Sequence, residues 1–191
     1  MRTLKHLLLI AALTPIAAAL PTGQAGAQDR FGTRTGSISF HSSTPVEDIE
    51  AHNRKVSCVY DAGTGAIELA VLIKAFEFRK ALMQEHFNEN YMESNTHPKA
   101  TFKGTLTGMD AAAKRSAGTY AVTIKGDLTM HGVTRPLEEP ATLVVRPDGS
   151  LKGTARFTVR PEDHDITIPG VVRNNIAERI VVSVDLDLTS L

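Results

Sequence analysis

Residues 179–188 read Arg-Ile-Val-Val-Ser-Val-Asp-Leu-Asp-Leu, and this stretch decides the fold class. From residue 180 to residue 188 every second side chain is apolar, and most of the side chains between them are polar. Because successive side chains of a β-strand point to opposite faces, this alternation predicts a strand with one dry face and one mostly wet face.

The same period of two recurs along most of the chain and predicts about eight strands in total. The other predicted strands contain residues 38–40, 56–60, 67–73, 102–106, 120–130, 143–145 and 151–159. Turn-forming residues separate them: residues 61–65 fit a hairpin loop, and residues 147–150 carry Asp-Gly at their centre. Pro136 and Pro140 are expected to bracket the start of a strand, where a missing N–H does least harm.

Strands with one apolar face, joined by hairpins, indicate an antiparallel sheet. A sheet of this length buries its apolar face in a sandwich or by closing on itself, and closure also removes exposed edges. We therefore predict an all-β fold, a closed antiparallel barrel of about eight strands. Gly104, Gly126 and Gly153 fall on the apolar phase of three strands, which indicates either bends in the wall or the close approach of another group.

Residues 77–91 break the period of two. Phe78, Leu82 and Met83 recur at helical spacing, and the pattern continues to Tyr91. We therefore predict a short amphipathic helix over these residues, inserted between the third and fourth strands. At one mouth of the barrel such a helix would either cap the core or act as a lid.

The first 27 residues are predicted to be a cleaved secretory signal, which indicates a periplasmic protein. Arg2 and Lys5 form a short basic segment, and an almost unbroken apolar run follows over residues 7–20. Residues 25–27 read Ala-Gly-Ala, the small-x-small pattern that signal peptidase cleaves. No later stretch approaches the roughly 18 apolar residues that a membrane-spanning helix needs.

Cleavage after residue 27 would leave 164 residues (191 minus 27), enough for a single domain with a sizeable core. Residues 28–35 are polar and contain glycine, so we expect a mobile N-terminal tail there and a barrel domain over residues 36–191. The remaining chain has 19 Lys and Arg (21 minus 2) against 21 Asp and Glu. This balance gives no electrostatic reason to bind nucleic acid.

The sequence predicts no catalytic residues, no metal ligands and no cofactor, because the common nucleophile, zinc, phosphate and redox motifs are absent. Residues 162–165, Glu-Asp-His-Asp, are either a weak metal or acid–base group or a solvated loop. His131 is either catalytic or a turn histidine that hydrogen-bonds the backbone. Arg160 and Arg173 suit either an acidic head group or surface pairs with the aspartates of 162–165.

Cys58 is the only cysteine, so an internal disulfide is excluded and the fold must be held by core burial and ladder hydrogen bonds. It lies on the alternating pattern of residues 56–60. It is therefore either a reactive thiol or a small buried hydrophobic residue.

Three segments carry a resemblance to a known family. Residues 86–104 run from His-Phe-Asn-Glu-Asn-Tyr-Met into Pro-Lys-Ala-Thr-Phe, and residues 124–136 contain Gly-Asp-Leu-Thr-Met-His-Gly-Val-Thr. Together with residues 157–166, these segments resemble the YceI-like family of exported proteins over residues 36–190. The segment before the helix is shorter than in full-length members, which indicates a compact subgroup with a short second strand.

The resemblance implies a lipocalin-like barrel that binds a polyisoprenoid or another long amphiphilic lipid in its interior. The dry phase of the strands and the helix then supply the predicted lining. The predicted ligand-binding residues are Phe40, Ile67, Leu69, Phe78, Leu82, Met83, Phe87, Phe102, Ile124, Leu128, Phe157 and Val182.

Two other function classes stay open at this point. The same side chains could fill a solid barrel core, and the protein would then be a stress-protective or protein-interaction module that docks through its helix or the loop 43–53. The third class is an enzyme that works near His131 or His164. The sequence leaves the oligomeric state open, and a homodimer is compatible with it.

Overall fold

The computed structural model describes residues 29–110 and 116–191. These residues form nine strands and one short α-helix. The elements are β1 (Arg30–Ser43), β2 (Asp48–Asp61), β3 (Ala66–Leu72), β4 (Glu77–Phe78), α1 (Ala81–His86), β5 (Lys99–Thr107), β6 (Gly118–Met130), β7 (Val133–Val145), β8 (Leu151–Val159) and β9 (Ile180–Ser190). Within these ranges, none of the helical segments is long and apolar enough to cross a membrane.

The eight long strands close into an antiparallel barrel. They neighbour one another in the order β1-β2-β3-β5-β6-β7-β8-β9, and β9 pairs back to β1. The two-residue β4 pairs only with β2. The predicted closed eight-stranded barrel is therefore confirmed, and the helix lies between its third and fourth long strands, after β4.

Two predicted hairpin turns are confirmed in the hydrogen-bond pattern. The backbone N–H of Gly65 donates to the Asp61 carbonyl oxygen at 2.7 Å. The Ser150 N–H donates to the Asp148 carboxylate at 2.9 Å, beside Gly149 with its φ of 82°. Both turns use the short side chains and positive φ angles that tight connections need.

The prediction of a mobile tail over residues 28–35 is wrong for the residues described, because residues 30–35 belong to β1. Phe31 pairs with Tyr60 of β2 on one side and with Ser190 of β9 on the other. The β1 ladder shifts register around Gly36. This bulge and the polar composition conceal the alternation, although the segment has strand neighbours on both edges.

The second strand is long, not short as predicted, and the predicted loop 43–53 is reduced to residues 44–47. Ala51 and Asn53 are both 0% exposed and face inward in the first half of β2. The Asn53 side-chain amide donates to the Leu72 carbonyl oxygen at 2.9 Å, and its oxygen accepts from the Lys55 N–H at 2.8 Å. A small and an amide side chain thus occupy buried positions where the pattern lacks apolar residues.

The helical segment is shorter than the predicted 77–91. Residues 77–78 form β4 and pair with residues 51–52 of β2, so the helix begins only at Ala81. After His86 it widens into a π-helical turn, Phe87–Tyr91. Backbone pairing to β2 therefore overrides the helical spacing at the start of the segment.

Pro136 and Pro140 lie inside β7 and do not bracket its start. β7 pairs with β6 along its whole length, but β8 pairs only with residues 141–145 of β7. The first part of the strand therefore has one open edge, where proline is tolerated. Residues 161–164 cover this edge, since Arg135 Nε donates to the Asp163 carbonyl oxygen at 2.7 Å.

The three glycines on the apolar phase have different roles. Gly104 and Gly126 are paired across β5 and β6, and a Cβ on Gly104 would lie 2.8 Å from the Gly126 Cα and collide with the Lys125 carbonyl oxygen. Two backbones approach closely at this point. A Cβ on Gly153 would meet only ordinary contacts, at 3.9 Å to Leu143 and 4.0 Å to Leu186.

We expect Gly104→Ala to lower the free energy of unfolding by about 1–3 kcal/mol, because the added methyl group forces the β5 and β6 backbones apart. Gly153→Ala is the matched control and should leave stability unchanged or raise it by up to about 1 kcal/mol, since the unfolded chain loses freedom without a clash. Urea unfolding of both variants measures the difference. Equal effects at the two positions would contradict the close approach of the strands.

Candidate functional site

An apolar cavity of about 340 Å³ lies inside the barrel. Inward side chains from all eight long strands line it, and the segment between β8 and β9 adds further lining. The middle of the wall carries small residues: Ala141 of β7 pairs with Ala155 of β8, and Leu143 pairs with Gly153. Space therefore remains at this level because the side chains are too short to meet across the barrel.

Eleven of the twelve residues predicted from the sequence line this cavity. They are Phe40, Ile67, Leu69, Phe78, Met83, Phe87, Phe102, Ile124, Leu128, Phe157 and Val182. The placement of Leu82 in the lining is wrong, because its side chain is 61% exposed. The helix is only six residues long, and Met83 lies on its inward face while Leu82 points to solvent.

Residues 161–176, between β8 and β9, supply further lining that is not among the residues predicted from the sequence. Ile166, Ile168, Val172 and Ile176 all border the cavity, and Ile166 is 7% exposed. The alternation at residues 166–168 was the available signal. That signal is weak because the segment forms short 3₁₀ turns, Pro161–His164 and Gly170–Asn175, and not a strand.

A cluster of four phenylalanines lies at the barrel end that carries α1, called the helix end below. Phe40 of β1 has its ring centroid 5.4 Å from those of Phe76 and Phe87 and 5.7 Å from that of Phe78. The Phe78 and Phe87 rings are 5.0 Å apart. Offset and edge-on contacts of this kind add to area burial, so the aromatic cluster fixes the helical segment against β1.

The opposite end is filled by large side chains. Tyr60 is 1% exposed and Leu188 is 2% exposed, and Leu188 pairs with Leu151 across β8 and β9. Burial, followed by the charge of neighbouring Asp61, raises the pKa of the Tyr60 phenol. The cavity is therefore apolar and closed at this end.

The helix end, in contrast, has polar groups at the cavity edge. Glu47, Asn175 and the exposed His86 border the cavity there. The Asn175 amide donates to Glu47 at 3.1 Å and Lys80 Nζ donates at 3.3 Å. These hydrogen bonds, the one from Asn175 first, lower the pKa of the Glu47 carboxyl. The cavity thus meets water beside a charged, hydrogen-bonded carboxylate.

No Lys or Arg side chain lines the cavity among residues 29–110 and 116–191. Arg160 forms an ion pair with Glu162, and Arg173 lies 3.6 Å from Glu178. The surface-pair interpretation therefore describes these arginines, although their partners are glutamates and not the aspartates considered from the sequence.

His131 is a turn histidine that hydrogen-bonds the backbone, which is the second of the two roles that the sequence allows for it. Its Nδ1 donates to the His164 carbonyl oxygen at 3.0 Å. His164 is itself only 3% exposed, and its Nδ1 donates to the Val133 carbonyl oxygen at 3.1 Å. Residues 162–165 are therefore not a fully solvated loop, because their histidine is packed against the β6–β7 hairpin.

Cys58 is a buried residue, with 2% of its surface exposed. Burial raises the pKa of its thiol to about 12. Since the thiolate is the nucleophilic form, this environment suppresses the chemistry of a reactive cysteine.

The raised pKa predicts a loss of stability in alkaline solution. The thiol keeps its proton to about pH 12 in the folded protein but loses it above its ordinary value of 9.0 in the unfolded chain. The unfolded state therefore binds fewer protons between these values. The free energy of unfolding should then fall as pH rises, by at most about 1.4 kcal/mol per pH unit from this group.

Cys58→Ala is the control, because it removes the thiol and leaves every other titrating group in place. Urea unfolding of both proteins near pH 8 and again above pH 9 should show a steeper loss for the wild type. Parallel pH profiles would contradict the assignment of a buried, ionisable thiol.

A closed antiparallel barrel with an apolar interior and a helix at one end defines a lipocalin-like cavity protein. A family model described as the YceI-like domain matches residues 24–188, and the chain belongs to this family. A comparison with curated proteins gives no match.

Solved structures of low sequence identity share the fold. A polyisoprenoid binding domain from Saccharophagus degradans, implicated in plant cell wall breakdown, is 14% identical with a TM-score of 0.74, over 86% of this chain and 99% of that one. BcnA from Burkholderia cenocepacia is 14% identical with a TM-score of 0.66, over 81% and 96%. A YceI protein from Campylobacter jejuni is 12% identical with a TM-score of 0.55, over 72% and 82%.

Proposed function

We propose that the protein is a non-enzymatic carrier that holds a polyisoprenoid or another long amphiphilic lipid inside the barrel. The observation that carries this proposal is the apolar cavity of about 340 Å³, lined from all eight long strands. Membership of the YceI-like family supports it, as does the polyisoprenoid binding domain that shares the fold.

The energetics favour a long apolar ligand. Burial of apolar surface stabilises a complex by about 25 cal/mol per Å², so a chain that loses several hundred Å² of exposed surface gains several kcal/mol. Immobilising the ligand offsets part of this gain. The cavity offers few polar partners, so it would select ligands by apolar surface and shape.

The polar part of such a ligand belongs at the helix end. Glu47 and Asn175 lie at the cavity edge there, and Tyr60 and Leu188 close the other end. Because no Lys or Arg side chain lines the cavity in the described ranges, a hydroxyl head group suits the interior better than a phosphate. A charged head group would remain in water at the mouth.

The second candidate is a protein-interaction module. Val46 in the β1–β2 loop is 63% exposed and Leu82 on α1 is 61% exposed, so both predicted docking elements present apolar surface. The cavity counts against the solid core on which this candidate depends. Substitutions inside the barrel should then affect a carrier and leave a docking module unchanged.

Gly153→Leu tests the carrier proposal, because it adds bulk to the cavity at a position with room for a Cβ. We expect affinity for a polyprenol of defined length to fall at least about tenfold, or 1.4 kcal/mol. Native mass spectrometry of the protein titrated with the polyprenol measures the bound fraction and also reports the oligomeric state.

Thr158→Leu is the matched control, since Thr158 lies on the same strand and is exposed. It places the same leucine side chain on the outer face of the barrel and should retain wild-type affinity. Circular dichroism checks that both variants are folded. Equal polyprenol affinity in Gly153→Leu, Thr158→Leu and wild type would contradict binding of the lipid inside the cavity.

Export is part of the proposal, and it predicts the N-terminus of the protein in its own cells. Cleavage after Ala27 would give a chain that begins at Gln28, recovered from the periplasmic fraction. Intact mass and N-terminal peptide mapping identify that residue. A chain that retains residues 1–27 in the cytoplasmic fraction would contradict export.

A further inference from the structure

Three potential metal ligands meet at the helix end, outside the apolar cavity. Glu93, His97 and His131 each place a ligand atom within 4.8 Å of those of the other two. Within residues 29–110 and 116–191, this is the one group of three or more such side chains. The sequence predicts no metal ligands because no zinc motif is present, and His131 is more than 30 residues along the chain from His97.

The backbone holds His131 toward this group. With Gly132 it forms the two-residue turn between β6 and β7, and both residues have positive φ angles, 52° and 76°. This is the conformation of a type I′ hairpin, in which a non-glycine residue at positive φ is uncommon, and histidine adopts it more often than most other residues. The turn therefore fixes the direction in which the imidazole leaves the hairpin.

The hydrogen bonds of His131 leave one ring nitrogen free. Nδ1 donates to the His164 carbonyl oxygen at 3.0 Å, which leaves the proton on Nδ1 and a lone pair on Nε2. Nε2 is buried and has no hydrogen-bond partner. A ring nitrogen oriented by a backbone carbonyl, with its second nitrogen unsatisfied, is the arrangement of a metal-binding histidine.

Glu93 and His97 come from one tight turn after the π-helical segment. The N–H groups of Thr96 and His97 both donate to the Glu93 carbonyl oxygen, at 2.8 and 2.9 Å. Glu93 itself has a positive φ of 43°. This turn brings the His97 ring over the hairpin, where its centroid lies 4.7 Å from that of His131.

Gly132 is fitted to the same contact. A Cβ at this position would lie 2.8 Å from Cε1 of His97, so the His97 ring packs directly on the hairpin backbone. Glycine thus serves both the positive φ and the close approach. The two imidazoles are held together by the backbone geometry of two separate turns.

We propose that Glu93, His97 and His131 bind one divalent transition-metal ion, for which zinc is the best chemical match. Two imidazole nitrogens and one carboxylate oxygen are a three-ligand zinc set that leaves a fourth position for water. Zinc–ligand bonds of about 2.1 Å at tetrahedral angles place ligand atoms roughly 3.4 Å apart. The ligand atoms now lie within 4.8 Å of one another, and rotation of the exposed Glu93 side chain can shorten its distances to the two histidines.

An ion at this site would join the segment that follows α1 to the β6–β7 hairpin. Met92, next to Glu93, is 5% exposed and borders the apolar cavity. The ion would therefore lie behind the wall that the helical segment contributes to the cavity. This site does not depend on the carrier proposal, since none of its three ligand residues lines the cavity.

The test is isothermal titration of the untagged protein, stripped with a chelator, with zinc chloride. We expect one zinc ion per chain, and no competition from excess magnesium, which prefers oxygen ligands. His97→Ala should weaken zinc binding at least about 100-fold, because even the loss of an outer-shell partner costs 10- to 100-fold. Glu93→Gln, at an exposed position, should weaken it at least about tenfold.

His52→Ala is the control, because His52 pairs with Glu50 at 3.3 Å on the surface and has no third ligand nearby among the described residues. It should bind zinc as the wild type does. His131→Ala is not used alone, since its Nδ1 supports the fold. Absence of one-to-one binding, or equal affinity in His97→Ala and wild type, would overturn the proposal.

Discussion

Closure of the sheet around inward residues of unequal size is the constraint on which the rest of the structure depends. Eight strands enclose a space that large side chains would fill. Here Ala141 pairs with Ala155, and Leu143 pairs with Gly153, on the adjacent strands β7 and β8, so a cavity of about 340 Å³ persists. Among the described strands the sheet closes because β9 pairs back to β1, and residues 161–164 cover the open edge at the start of β7.

The two barrel ends then acquire different properties. One end is filled by the buried side chains of Tyr60 and Leu188. The helix end combines the aromatic cluster, the Glu47 carboxylate and the proposed zinc ligands. A ligand with one apolar and one polar end would therefore have a single favourable orientation, with its polar end at the helix end of the barrel.

The sequence predicts the strands best where inward residues are large. The alternation of residues 180–188 and 120–130 identifies β9 and β6, and the register follows from turns such as Asp148-Gly149. The first two strands are harder to recognise because their inward positions include Gly36, Ala51 and Asn53, all buried but not all apolar. Pairing with the neighbouring strands, and not the local sequence pattern, determines that these side chains point inward.

The cavity lining follows from strand parity once closure is assumed, which is why the strand residues in the predicted lining lie there. Leu82 does not line the cavity. Pairing of residues 77–78 with β2 delays the start of the helix, and Leu82 then lies on its solvent-exposed face. The meeting of Glu93 with His131 is a purely tertiary event. It depends on how the segment after α1 packs on a hairpin, and no spacing in the sequence encodes that contact.

The most direct test of a lipid-filled barrel is the mass of the native protein isolated from its own cells without detergent, followed by organic extraction. We expect an additional species of lipid mass, bound one to one, whose fragments are prenyl or acyl units. Protein that is folded and at the bare chain mass in repeated preparations, and that also fails to take up added polyprenol, would contradict it.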